Sequence, residues 1–352
     1  MSAAPVLRVL APGPSATIQD LGRPGWFSSG VGVAGAADTT SHRLANLLLG
    51  NDEQAATVEC LLGGLHLIAL APVTVAVTGA PAQVTVDGAP APHTSVLLLG
   101  AGQELRLGLA ASGLRVYLGV RGGVDADPVL GSRSRDTLAG LGPEPLQPGT
   151  ELAIGAMLES RSIQVAVPTL ARPGRSITSD PVSVRVALGP RHDWFAHPAD
   201  LFANHWVASD RLDRVGVRLD RPAGAPALTR LDDAELPTEG MPLGAIQVPP
   251  SGQPVVFLAD HPITGGYPVI GVVLADDVAA LAQVRPGQHV VFRAETDPEP
   301  AAFTDPATIA AALGGQPLLM RGRPSEPEIA AILAALSVAS LAAVRDPVRY
   351  PR

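Results

Sequence analysis

Along the first 167 residues, short apolar runs recur at a spacing too tight for a helix between them. Val6–Leu10, Leu65–Leu70, Val73–Thr78, Gln83–Val86, Val96–Leu99, Glu104–Leu109 and Leu114–Val120 each end in glycine, proline or Asp-Gly. Parallel neighbours need a crossover of about a dozen residues or more, so these runs must pair mostly antiparallel, as in a barrel or sandwich. Asp87-Gly88 offers a two-residue hairpin turn. One helix interrupts the series, from Thr39 to Leu49. Asp38 is placed to cap it, Gly50 to stop it, and Leu44, Leu47 and Leu48 to form its apolar stripe, with His42 and Arg43 facing outward.

A connector, PTLARPGRSITSDP, runs from Pro168 to Pro181 and leads into a second β-rich segment, residues 182–297. Its strands are expected at Val182–Leu188, Gln253–Leu258, Val269–Leu274 and His289–Arg293, with a short helix over Asp276–Gln283. The acidic, proline-rich stretch Glu295–Pro300 reads as a linker. Beyond it, residues 301–352 change character: Ser325-Glu326-Pro327-Glu328 is a capping box, and IAAILAALSVASLAAV follows at helical period. The expected fold class is mainly β, with a few short helices and a helical C-terminal tail that must dock on the body or on a partner.

Composition restricts the chemistry. All 25 basic residues are arginine, and there is no lysine. A Schiff base, a P-loop lysine, a biotinyl-lysine and a Ser-Ser-Lys amidase triad are therefore excluded on this chain. The net charge of −8 disfavours nucleic acid or an anionic membrane as partner. Cys60 stands alone and reads as a buried small hydrophobe. No apolar run approaches the roughly 20 residues of a membrane span, so a cytoplasmic protein is expected. Gly30-Val31-Gly32-Val33-Ala34-Gly35 has the spacing of a dinucleotide loop but lacks the buried strand before it. His192, His197 and His205 have no metal-ligand spacing.

Four polar, glycine-rich stretches break the apolar pattern. TIQDLGRPG gathers Gln19, Asp20 and Arg23 near a turn, as a clamp for a small carboxylate or as a turn held by an Asp-Arg pair. VYLGVRGGVD puts Arg121 where a strand meets a loop, and GAIQVPPSGQP puts Gln247 ahead of a turn. The fourth stretch, LADHPITGGYPVIG, breaks a strand at Asp260 and His261 and resumes it after Tyr267. Gly265 and Gly266 would let backbone N–H groups approach an oxyanion, with Asp260, Thr264 and Tyr267 around that point. A β-bulge with satisfied polar groups is the structural alternative.

Taken in order, TIQDLGRPGW, ANLLLGN, VEC with LGG, VTGA, YLGVRGG with LGSRS, DRVGVRL, TEGMPLGAIQVPPSGQP, ADHPITGGYP and AQVRPGQHV span about residues 6 to 294. In these stretches the sequence resembles the biotin-dependent carboxyltransferase-like family, which comprises the C subunit of 5-oxoprolinase, allophanate hydrolase subunit 2 and an antagonist of a sporulation-kinase inhibitor. The resemblance implies cyclophilin-like β-barrel subdomains and, as partner, a homologue of the 5-oxoprolinase B subunit or of allophanate hydrolase subunit 1. It further implies an ATP-dependent complex, completed by an A-subunit homologue, that opens 5-oxo-L-proline to L-glutamate. In that reading Asp260, Thr264 and Tyr267 are catalytic, while Gln19, Asp20, Arg23, Arg121, Gln247, Gly265 and Gly266 bind substrate. One alternative is the carboxyltransferase half acting on urea or a related amide, with biotin carried by a partner. The other is a non-catalytic antagonist of a kinase-inhibitor homologue. Gly131-Ser132-Arg133-Ser134-Arg135 departs from the family's Gly-Ser-x-Ser-Thr, and Gly142-Pro143 and Gly149-Thr150 replace its Gly-Arg and Gly-Asp. The tail resembles the small epsilon subunit of acyl-CoA carboxylases.

Overall fold

The β-branched runs all become strands, and the tight spacing has its expected result: among the described residues every strand pairing but one is antiparallel. The structure, a computed structural model, describes residues 4–155, 180–231 and 236–295. Residues 156–179, which take in all of the connector except Asp180 and Pro181, the linker after Glu295 and the capping-box helix lie outside the described residues.

The first segment contains β1 (Pro5–Ala11), β2 (Ser15–Gln19), α1 (Thr39–Leu49), β3 (Thr57–Leu61), β4 (His66–Ala69) and β5 (Val73–Gly79). It continues with β6 (Val84–Val86), β7 (Ala89–Ala91), β8 (Val96–Leu99), β9 (Glu104–Leu107), β10 (Arg115–Val120), β11 (Val124–Asp125) and β12 (Glu151–Ile154). These strands form a seven-stranded sheet, β11-β12-β1-β4-β9-β6-β7, and a five-stranded sheet, β2-β3-β10-β5-β8. Leu7, Val9, Leu67 and Leu105 of the first sheet share one apolar core with Val58, Cys60, Val75, Val77, Val116 and Leu118 of the second. Burial pushes the Cys60 thiol far up, which keeps it protonated and inert. Asp87 and Gly88, both at positive φ, make the two-residue turn between β6 and β7.

The second segment contains β13 (Val182–Leu188), α2 (Asp200–Ala203), β14 (His205–Ala208), β15 (Gly216–Asp220), β16 (Glu239–Gly240) and β17 (Ala245–Gln247). After these come β18 (Val255–Phe257), β19 (Thr264–Gly265), β20 (Val269–Val273), α3 (Ala275–Leu281) and β21 (His289–Ala294). Seven of these strands close a barrel in the order β13-β20-β17-β18-β15-β14-β21, sealed by the parallel pair β13–β21, while β16 and β19 make a separate ribbon. Val184, Val186, Trp206, Ile246, Val256, Ile270 and Phe292 belong to the barrel's buried core. Trp206 satisfies its indole N–H on Leu201 O at 2.9 Å.

Helix α1 has the expected bounds, with Asp38 accepting from Ser41 N and Gly50 in the left-handed region at its end. Its buried face differs from the expected one. Leu47 is exposed, whereas His42 is fully buried together with Ala45, Asn46, Leu48 and Leu49. The helix sits so close to β10 that a Cβ on Gly119 would lie 2.9 Å from Leu49 Cδ1 and 3.0 Å from Ala45 Cβ. His42 is accommodated there because both ring nitrogens find partners, Thr57 Oγ1 at 2.9 Å and Glu53 O at 3.0 Å.

Candidate functional site

Strand β18 ends at Phe257, and the chain turns inward before it reaches the two glycines. His261 holds the turn, its ring nitrogens 2.7 Å from Leu258 O and 3.1 Å from Met241 O and its ring stacked on Phe257. Asp260 is buried, its carboxylate gripped by Arg214 through Nε at 2.9 Å and Nη2 at 3.0 Å. Oδ2 also accepts from Thr137 N at 2.8 Å and Thr137 Oγ1 at 2.6 Å. The carboxylate has no exposed side-chain surface, and all of these donors are internal to the chain. The structure thus places Asp260, expected as a catalytic group, in the interior as the partner of Arg214 and Thr137.

Arg214 continues the chain of charges. It donates to Gly35 O and, through Nη1, to Glu59 on β3. Glu59 also accepts from Tyr117 Oη at 2.6 Å, Ala37 N at 2.9 Å and Arg115 Nε at 3.3 Å. Tyr117 Oη in turn accepts from Asp38 N, and Gln283, just past α3, donates to Asp38 Oδ2 at 2.7 Å while its oxygen accepts from Leu114 N and Arg115 N. A buried polar seam therefore joins the two-sheet segment to the barrel. Burial alone would raise the Glu59 carboxyl, but the Arg214 and Arg115 guanidiniums outweigh it and hold the group at about 2. Burial raises the Asp38 and Tyr117 groups.

Beyond Asp260 the chain returns to the surface. Thr264 and Gly265 pair with Gly240 and Glu239 across the β16–β19 ribbon. Gln247, on β17, donates from Nε2 to Tyr267 O at 3.2 Å and lies against Met241 Sδ at 3.8 Å. Gly265 is packed so tightly on Gln247 that a Cβ there would come within 2.6 Å of Nε2. Thr264, Gly266 and Tyr267 are exposed. The structure therefore puts Thr264, Gly266 and Tyr267 at the surface, with Gly265 and the buried Gln247 beneath them, and separates Asp260 from this group.

The other candidates lie elsewhere. Asp20 is buried and accepts from Gly22 N, Ser132 Oγ, Arg133 N and Ser134 Oγ. Gln19 donates to Thr17 Oγ1 and Arg135 O. The Arg23 side chain has no exposed surface; it donates to Ser134 O and sits 3.8 Å from Asp136. These three residues fasten the 132–136 loop under β2, with Ser132 and Ser134, the two serines kept from the family's Gly-Ser-x-Ser-Thr, as the fasteners. All three side chains are buried, and Arg23 Nε and Nη1 and Gln19 Oε1 have no hydrogen-bond partner among the described residues. Arg121 donates to Leu49 O at the C-terminal end of α1, where a cation suits the helix dipole. Glu59, Tyr117, Arg214 and Gln283 lie in the stretches VEC, YLGVRGG, DRVGVRL and AQVRPGQHV, but none of them, nor Arg115 or Thr137, is among the candidate site residues. Their signal is a lone carboxylate in the apolar run Thr57–Leu61 and an unexplained arginine in DRVGVRL.

The family model for the carboxyltransferase domain, subdomain A and B, matches residues 29–294. This chain belongs to that family. The carboxyltransferase-domain protein is 35% identical over 292 residues to the C subunit of 5-oxoprolinase from Escherichia coli, covering 82% of this chain and 90% of that protein. It is also 30% identical to urea amidolyase of Saccharomyces cerevisiae, covering 81% of this chain but 16% of that protein. Among solved structures, TTHA0988 superposes with a TM-score of 0.72 at 33% identity over 82% of this chain. The carboxyltransferase-domain protein spans 56% of that longer chain.

Proposed function

We propose that this protein is one subunit of an ATP-dependent complex that hydrolyses 5-oxo-L-proline to L-glutamate together with homologues of the A and B subunits of 5-oxoprolinase. The observation that carries the proposal is the extent of the likeness to the 5-oxoprolinase C subunit, which takes in 90% of that protein rather than one module of it. In this reading the Gln247–Tyr267 surface faces the cyclic amide. The Tyr267 carbonyl holds the Gln247 amide through Nε2, and in this reading Oε1 accepts from a substrate N–H. The Gly266 amide and the Thr264 and Tyr267 hydroxyls supply donors for charge developing on the ring oxygen, while Gly265, whose own N–H is taken up in the ribbon, lets the chain lie close on Gln247.

A small-molecule site normally buries most of its ligand, and Thr264, Gly266 and Tyr267 form one open wall. The opposite wall belongs to the partner protein in this proposal. ATP supplies the drive that activates the amide, and it is assigned to the complex. The ribbon offers its phosphates no spare cation, since Arg191, which reaches it, is bonded to Glu239. Biotin, where a relative uses it, must be carried by another chain, because this one has no lysine to bear it.

The test is to co-purify the protein with its two partner homologues and to follow ATP hydrolysis and glutamate release with 5-oxoproline. Tyr267→Phe and Gln247→Ala are expected to lower turnover without loss of assembly. Unchanged turnover in both variants would remove this surface from the mechanism. The likeness to urea amidolyase favours a second reading, carboxyl transfer to urea or a related amide. Urea-dependent turnover with a biotinylated partner, and none with 5-oxoproline, would select it. Partner binding with no turnover of any kind would leave the sequestering role.

A further inference from the structure

Sheet edges offer free backbone donors and acceptors to other chains, and folded proteins blunt them. In this molecule every substantial edge but one is blunted among the described residues. The barrel is closed and has no edge. At the β2 edge, Ala16 O accepts from Leu146 N and Ile18 O from Arg135 N, so loops cover it. At the β7 edge the outward residue is Pro90, opposite Thr85, which offers no N–H. β11 is two residues long.

The exception is β8, the outer strand of the five-stranded sheet. Its sequence, Val-Leu-Leu-Leu, has no charge, proline or glycine. The hydrogen-bond parity of its neighbour shows which groups are free. Val77 O accepts from Thr94 N, and Thr74 O from Arg121 N, so odd-numbered residues of β5 bond toward β8. Because Val75 faces Leu97 and Val73 faces Leu99, those leucines bond inward, and the backbone groups of Val96 and Leu98 point out. The side chains agree: Leu97 and Leu99 are buried between the sheets, while Leu98 on the other face is 75% exposed, with Leu47 of α1 also exposed.

We propose that the β8 edge is a self-association surface, on which a second copy of this chain lays its own β8 antiparallel, with Val96 of each copy opposite Leu98 of the other. The edge is complementary to itself. This register pairs all the outward N–H and C=O groups of Val96 and Leu98 in both copies and faces Leu97 with Leu97 on the core side. It also covers Leu98 with Val96 of the other copy. No like charges meet at the two-fold axis, because His93 is the sole titratable residue between Asp87 and Glu104, and burial lowers its pKa. A strand from an unrelated partner could pair with the same edge, but it would need an apolar sequence of matching alternation, which the second copy supplies by identity.

The test uses the full chain in sedimentation equilibrium over a range of concentrations. The wild type is expected to form a dimer, and Leu98→Arg, which sets two cations across the axis, to weaken it about a hundredfold or more at an unchanged melting temperature. Leu98→Cys gives an independent reading: a short bismaleimide should capture a covalent dimer, Cys60 being buried and unreactive. A monomeric wild type, or a dimer indifferent to Leu98→Arg and not captured through Leu98→Cys, overturns the proposal. So does a Leu98→Arg variant that loses the B-subunit homologue instead of its own second copy.

Discussion

Gly265 and Gly266 are neighbours with different constraints. A methyl on Gly265 would collide with Gln247 Nε2 at 2.6 Å and press on Met241, whereas at Gly266 the nearest atom to the added Cβ would be Leu236 O at 3.8 Å. Gly265→Ala should therefore displace Gln247 and lower turnover of the reconstituted complex by about tenfold or more. Gly266→Ala should leave turnover near that of the wild type. Equal losses in the two variants would show that the crowding at Gln247 is irrelevant. At Arg214 the expected effect is on stability. Arg214→Met leaves Glu59 short of one buried partner and Asp260 without its cation, which should cost about 3–5 kcal/mol in urea unfolding. The break at Asp260 was legible from sequence as a polar interruption of an apolar strand. Its role was not, because the arginine that holds it lies 46 residues away and the threonine 123 residues away, beyond the reach of any local pattern.

Among the elements, the legible strands were those with uniformly apolar cores. Strands β2 and β3 escaped because they bury Thr17, Gln19, Thr57 and Glu59, polar residues that break the alternation by which a strand is recognised. They are also the strands that carry the seam and the Asp20 cluster. Helix α1 was legible at both ends, since capping chemistry is local, but its buried face is set by Gly119 on a strand far along the chain. Burial lowers the His42 pKa, so the folded helix needs the neutral ring. The unfolded chain takes up a proton first as the pH falls below the ordinary value of 6.5, and stability is lost from there downward. Urea midpoints measured from about pH 7.5 to about pH 5 should fall, and His42→Gln should flatten that slope even where its baseline is lower. A wild-type midpoint constant over that range would contradict the need for neutral His42.

For the whole molecule the seam sets a second, more acidic limit. The Glu59 carboxyl, depressed from 4.5 to about 2, contributes stability that is fully present above pH 4.5 and is lost between there and pH 2. The shift corresponds to about 3 kcal/mol. Asp38, raised by burial, titrates in the opposite sense and offsets part of the loss. Glu59→Gln should remove most of the decline in that window, as read from unfolding midpoints between about pH 5 and about pH 3. A decline as steep as that of the wild type would place the acid sensitivity elsewhere. Gln283→Ala, which strips Leu114 N, Arg115 N and the Asp38 carboxylate of one shared partner, should cost about 2–4 kcal/mol without altering either core.

The charges of the seam are distributed so that each segment keeps a pair of its own. Glu59 and Arg115 lie before Gly155, and Arg214 and Asp260 lie after Asp180. A chain cut between those points would yield two pieces, each keeping one carboxylate–guanidinium pair, joined across the cut by the Arg214–Glu59 bridge and the Thr137–Asp260 bonds. Such pieces are suited to being made separately and mixed. The seam that locks the intact protein would then be the contact that holds the two pieces together.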